Sequence, residues 1–148
     1  MLSKTTVKRL SHASLEGVTM TLSFDQTLHL TAIYRPPPSR QNKFTNSMFV
    51  NKIDELLEST LCKTETAFLV GDFNLHCDFS TKSDGQKVCT LFSEHGLIQL
   101  VRELTHRCRH ILHLLVTPKR STLIHNVSVS GNSVSNHGTL SFSLEISC

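Results

Sequence analysis

Two polar side chains at the end of an apolar run offer the clearest chemistry in this sequence. The run Phe68-Leu69-Val70 stops at Gly71, and Asp72-Phe73-Asn74 follows. Along an extended chain, alternation sets Asp72 and Asn74 on one side and turns Phe73 toward a core. A carboxylate can accept a proton from water, and a carboxamide can donate to a phosphate oxygen. The same residues are also ordinary turn formers, because Asp and Asn bond their own backbone and tolerate strained dihedrals. Both readings stand on the motif alone. A second candidate group is His106, Cys108, His110 and His113, drawn from a chain with 9 histidines. Its spacing, H-x-C-x-H-x-x-H, matches no usual zinc pattern and reads as a solvated turn.

The elements that must hold these residues follow from periodicity. Val18, Met20, Leu22 and Phe24 alternate with polar residues, as do Leu28, Leu30, Ala32 and Tyr34. They predict a β-hairpin over 17–24 and 28–34. Pro36-Pro37-Pro38 ends the second strand, since proline cannot donate to a ladder. Phe44, Met48, Phe49, Ile53, Leu56, Leu57 and Leu61 recur at helical steps, predicting an amphipathic helix over 43–60. A buried strand over 66–70 then leads into the Gly-Asp motif. Ser83 with Gln86 resembles a capping box, Val88, Leu91 and Phe92 give an apolar face, and Gly96 suits the C′ position. Short strands are expected over 97–101, 111–116, 123–129 and 139–146, the third with a bulge. Residues 1–14 show no usable period and read as a poorly ordered segment before a single domain over 15–148.

Composition bounds the rest. The chain has 148 residues, 39% hydrophobic and 18% charged, as a globular domain with a core requires. A net charge of +3 does not by itself imply a nucleic-acid partner, although a local basic patch can still bind phosphate. The 5 cysteines form no C-x-x-C pair, which fits reduced thiols in an intracellular protein, nuclear or cytoplasmic. No apolar run reaches membrane-spanning length, and the N-terminus lacks the apolar centre of a signal peptide, so neither a membrane partner nor secretion is expected.

Three segments now line up in order: Ile33-Tyr34-Arg35-Pro36-Pro37, Val70-Gly71-Asp72-Phe73-Asn74, and Ser135-Asn136-His137 before a closing strand. Together they resemble the endonuclease/exonuclease/phosphatase superfamily, and most nearly the AP-endonuclease-like domain of non-LTR (LINE) retrotransposons. Thr105-His106 followed by Arg109-His110-Ile111-Leu112-His113-Leu114-Leu115-Val116 is similar to that family's Thr-His…Gly-His-Thr-Leu-Asp-Leu-Val-Ile segment. The resemblance implies an α/β fold, a four-layer αβ-sandwich with two mixed sheets face to face and helices outside. It implies cleavage of DNA phosphodiesters with Mg²⁺ or Mn²⁺. Asp72 would orient or deprotonate the attacking water, and Asn74 would hold Asp72 and the phosphate in register. Tyr34 would donate to a phosphate oxygen, and His137 would donate to the developing oxyanion. Arg35, Arg40, Lys43, Arg107 and Arg109 are the candidates for nucleic-acid contact.

The sequence departs from that pattern in three places. Nothing in residues 1–34 fits the family's opening section, whose Asn and Glu build the metal site, so the chain is expected to be an incomplete, C-terminal portion. Asn136 stands where the family has an acid, and His113 stands at the Asp of Leu-Asp-Leu. A neutral imidazole at 113 can accept a bond but brings no negative charge to the histidine it faces. The expectation is a degenerate site with little or no cleavage and no dependable metal ligand set. The alternatives are a nucleic-acid-binding module without catalysis, and a phosphatase or exonuclease of the same superfamily. The oligomeric state is not legible.

Overall fold

The computed structural model describes residues 4–77, 83–131 and 135–146. Strands β1 (Lys4–His12), β2 (Leu15–Ser23) and β3 (Thr27–Tyr34) form an antiparallel meander. Helix α1 (Asn46–Ser59) then crosses to β4 (Ala67–Asp72), which pairs parallel with β3. Helix α2 (Asp84–Glu94), β5 (Leu97–Gln99) and β6 (His113–Pro118) complete a six-stranded sheet in the order β1-β2-β3-β4-β6-β5. Strands β7 (Ile124–Ser130) and β8 (Thr139–Leu144) make a separate two-stranded sheet. The architecture is an αβ-sandwich: helices, the large sheet, then the small sheet.

The expected strands and helices form, with shifted ends. Lys43 adopts a positive φ of 51°, which a helix excludes, so α1 starts later, capped by Thr45 Oγ1 accepting from Met48 N at 3.3 Å. Ser83 Oγ caps α2 by accepting from Gln86 N at 3.1 Å, and Gly96 leaves that helix at φ +68°. The expected bulge appears as a register shift between His125 and Ser128, where Asn126 takes φ 53°. The sequence reading assigned no element to residues 1–14. That reading is corrected by β1, an edge strand whose pairing with β2 runs from Lys4↔Ser23 to His12↔Leu15.

Two cores flank the large sheet. On one face Phe49, Ile53 and Leu57 from α1 and Val88 and Phe92 from α2 cover Ile33, Leu69, Leu114 and Val116. Phe73 sits in this core as expected, edge-on to Phe49 at 6.0 Å and to Phe92 at 6.1 Å. On the other face Leu28, Phe68 and Leu115 are covered by side chains of the small sheet, with Phe142 edge-on to Phe68 at 5.5 Å. Burying each of these phenylalanines contributes roughly 1.5–3 kcal/mol. Gly71 permits the close approach of β3: a Cβ there would stand 2.0 Å from the Ile33 carbonyl oxygen.

Candidate functional site

Strand pairing brings the first three site residues into one row. Tyr34 at the end of β3 pairs with Asp72 at the end of β4, and Asp72 pairs with His113 at the start of β6. Alternation sets them on the face of Phe68 and Val70, toward the small sheet. Two backbone bonds fix the corner: Arg35 N donates to Asp72 O and Phe73 N to Leu112 O, each at 2.9 Å.

His137 arrives from a loop of its own, tied down by the 105–110 turn. Gly138 N donates to Thr105 O at 2.8 Å, Arg107 N to Asn136 O at 2.9 Å, and His106 bridges to His137. Thr105 is fully buried, and its hydroxyl accepts from Leu112 N at 2.8 Å and His113 N at 3.0 Å. One residue therefore aligns three parts: its hydroxyl holds the root of β6, and its backbone carbonyl holds the His137 loop to the turn. The sequence reading did not single out this role; its signal was a hydroxyl beginning a turn that had to pack beneath a strand.

The result is a compact group. His137 Nδ1 lies 2.9 Å from His113 Nε2, with the rings stacked at a centroid distance of 5.0 Å and 13° between planes. Asp72 Oδ2 lies 3.8 Å from each of these nitrogens. His106 stands edge-on to His137 at 4.9 Å. Burial pushes the His113 imidazole below its ordinary range; Asp72 opposes this, while His137 and His106 add to it.

Asn74 forms the turn its motif allowed, and its side-chain amide is engaged by backbone. Its N–H donates to Asp72 Oδ1 at 3.1 Å, closing a tight Asp-centred turn, and its side-chain amide donates to Arg35 O at 2.7 Å. The alternation expected through residue 74 fails, because β4 ends at Asp72 and Asn74 takes φ 45°. Asn74 reaches the corner through the turn instead.

Arg35 requires a correction. It was a candidate for phosphate contact, yet it is only 1% exposed. Its guanidinium donates to Asn74 O at 3.0 Å and to Asn46 Oδ1, and Asn46 in turn donates to Asp84 Oδ2. This part-buried chain of bonds ties the starts of α1 and α2 to the loop after Asp72. Arg40, Lys43, Arg107 and Arg109 are exposed, the last two on the turn that carries His106. Tyr34 is exposed at the strand end, and Asn136 is exposed with its carbonyl engaged by Arg107. His106, Cys108, His110 and His113 do not gather as a ligand group: Cys108 is exposed, and His110 stacks on His76 at 3.9 Å.

Two groups among the described residues have metal-ligand spacing, Asp72/His113/His137 and Asp54/Glu58/His95. The first supplies one carboxylate and two imidazoles. Mg²⁺ takes oxygen ligands in octahedral geometry, so this donor set does not fit Mg²⁺, one of the two ions that the resemblance implies.

No model of a known protein family matches the sequence, and no curated protein matches it. Solved structures do match. The endonuclease domain of TRAS1, a telomere-specific non-LTR retrotransposon, superposes with a TM-score of 0.72 at 14% identity, over 95% of this chain and 67% of that one. The human Nocturnin catalytic domain with bound sulfate gives 0.55 at 16% identity, over 98% and 60%. D. rerio TDP2 complexed with a single-strand DNA product gives 0.53 at 10% identity, over 93% and 65%. The chain thus spans 60–67% of the length of these neighbours. These neighbours have folds of the endonuclease/exonuclease/phosphatase type, and this chain shares their fold.

Proposed function

We propose that this chain is a phosphodiesterase domain of the retrotransposon-endonuclease kind, directed at DNA, in which cleavage is lost or nearly so. The observation that carries the reading is the meeting of Tyr34, Asp72, Asn74 and His137 at one corner, on elements in the order the resemblance requires. Likeness to a retrotransposon endonuclease and to a DNA-bound TDP2 supports the substrate class. In such chemistry Asp72 accepts a proton from the attacking water, and Tyr34 and His137 donate to phosphate oxygens. The weakness is His113. His137 faces an imidazole at 2.9 Å, where a carboxylate would hold it cationic for oxyanion stabilisation. In the Ser-His-Asp triad, a different chemistry with the same orienting role, losing the acid costs about four orders of magnitude.

The purified chain is expected to leave supercoiled plasmid intact with Mg²⁺ or Mn²⁺. Nicking that persists through purification and vanishes in Asp72→Ala would show that the site still cuts. A second reading, DNA binding without cleavage, draws on Arg107 and Arg109, exposed on the turn bonded to the His137 loop. In the same samples it requires retention of DNA that weakens with added salt. Unretarded DNA at low salt removes it.

A further inference from the structure

We propose that Asp72, His113 and His137 form a binding site for a late first-row divalent cation of the zinc type, with water as the remaining ligand. These donor atoms lie at the same corner as Tyr34, and they can hold an ion whether or not phosphodiester chemistry runs there.

The geometry is that of three donors around one ion. Zinc bonded to nitrogen and oxygen at about 2.0–2.1 Å in a tetrahedron requires donors roughly 3.3–3.4 Å apart. The three separations here are 2.9, 3.8 and 3.8 Å, values that straddle that length. Asp72 Oδ1 is engaged by Asn74 N–H, which leaves Oδ2 facing both imidazoles. Without a cation, two ring nitrogens at 2.9 Å must share one proton beside a carboxylate. A divalent ion replaces that proton and satisfies all three groups.

The donors select the ion class. Two imidazoles and a carboxylate suit zinc, cobalt or iron(II), whereas Mg²⁺ and Ca²⁺ prefer oxygen throughout. Side-chain exposures of 21%, 19% and 34% for Asp72, His113 and His137 leave room for a bound water. The frame is stiff on the ligand side: Thr105 holds the backbone N–H of His113, and β4–β6 pairing holds Asp72 opposite it. Such supporting bonds set metal affinity. The other group with ligand spacing is a weaker candidate. His95 Nε2 already bonds Asp54 Oδ1 directly at 2.6 Å, too close for an ion between them.

The test uses the full chain, stripped with a chelator and dialysed against Zn²⁺ or titrated with Co²⁺. Expected are one equivalent of Zn²⁺ bound at micromolar concentration, visible d–d bands with Co²⁺, and shifted ring-nitrogen resonances of His113 and His137. A thousandfold excess of Mg²⁺, roughly, should not displace the ion. His113→Gln and His137→Gln, on separate elements so that one folding failure does not end the test, should each weaken binding at least about tenfold. His95→Gln should leave it unchanged. Absence of binding by the wild-type chain, unshifted rings, or a site abolished by His95→Gln and spared by His113→Gln would overturn the assignment. Plasmid nicking is scored separately, so a failure of either reading leaves the other intact.

Discussion

The guanidinium of Arg35 lies over the rings of Phe44 and Phe49, 5.5 and 5.1 Å from their centroids, and bonds Asn46. Asn46 bonds Asp84, which also receives Lys87 Nζ at 2.7 Å. Asp84 opens α2, where the helix dipole favours a negative charge. Its carboxyl is held below the ordinary aspartate range, first by the Lys87 hydrogen bond and then by Asn46. A folded-state pKa below the unfolded one means that the unfolded chain binds more protons between the two values. The stabilisation is therefore full above the unfolded pKa, near 3.9, and lost as pH falls through the lower folded value. Asp84→Asn should cost about 1 kcal/mol in urea unfolding at neutral pH. The gap from wild type should narrow as pH falls below the ordinary aspartate range and the wild-type carboxyl protonates. A gap that stays constant with pH would show that shape, not charge, is what Asp84 supplies.

At the scale of elements, Gly71 governs whether β3 and β4 can carry Tyr34 and Asp72 side by side. An added Cβ at 2.0 Å from Ile33 O meets backbone, which cannot turn aside. Gly71→Ala should lower unfolding free energy by about 3 kcal/mol in urea. An unchanged midpoint would mean that the two strands separate without penalty. Strands β2 and β3 and both helices were legible from a period in the sequence, whereas β4 and β6, buried on both faces, were legible as unbroken apolar runs. β1 was not: nearly every residue of Lys4–His12 is exposed, including Val7 at 62%, so no alternation records its faces. Within the site, Asp72, Tyr34 and His137 were legible from motif order. Three details were not. Arg35 turned inward because two phenylalanines and an asparagine receive it. Asn74 left the strand through a positive φ. The approach of His137 to His113 depends on Thr105, a long-range tie that no local pattern encodes.

For the molecule as a whole, the corner is assembled from two layers of unequal support. Asp72 and His113 belong to the six-stranded sheet, covered by helices on one side. His137 precedes β8, in a sheet of only two strands, and such a pair is marginal in water unless packed on something else. Its main hold is the apolar contact centred on Phe142 and Phe68, together with the backbone bonds from Thr105 and Arg107. Amides of β8 should therefore exchange with deuterium faster than those of β4, through a partial opening that costs less than global unfolding. Phe142→Ala should quicken exchange in β8 and leave β4 unaltered; uniform protection across both strands would contradict this. The corner works as a clasp with one jaw anchored and the other hinged. If the proposed ion or phosphate binds there, it is kept only for as long as the outer ribbon stays seated, so residence time would belong to the ribbon and selectivity to the anchored jaw.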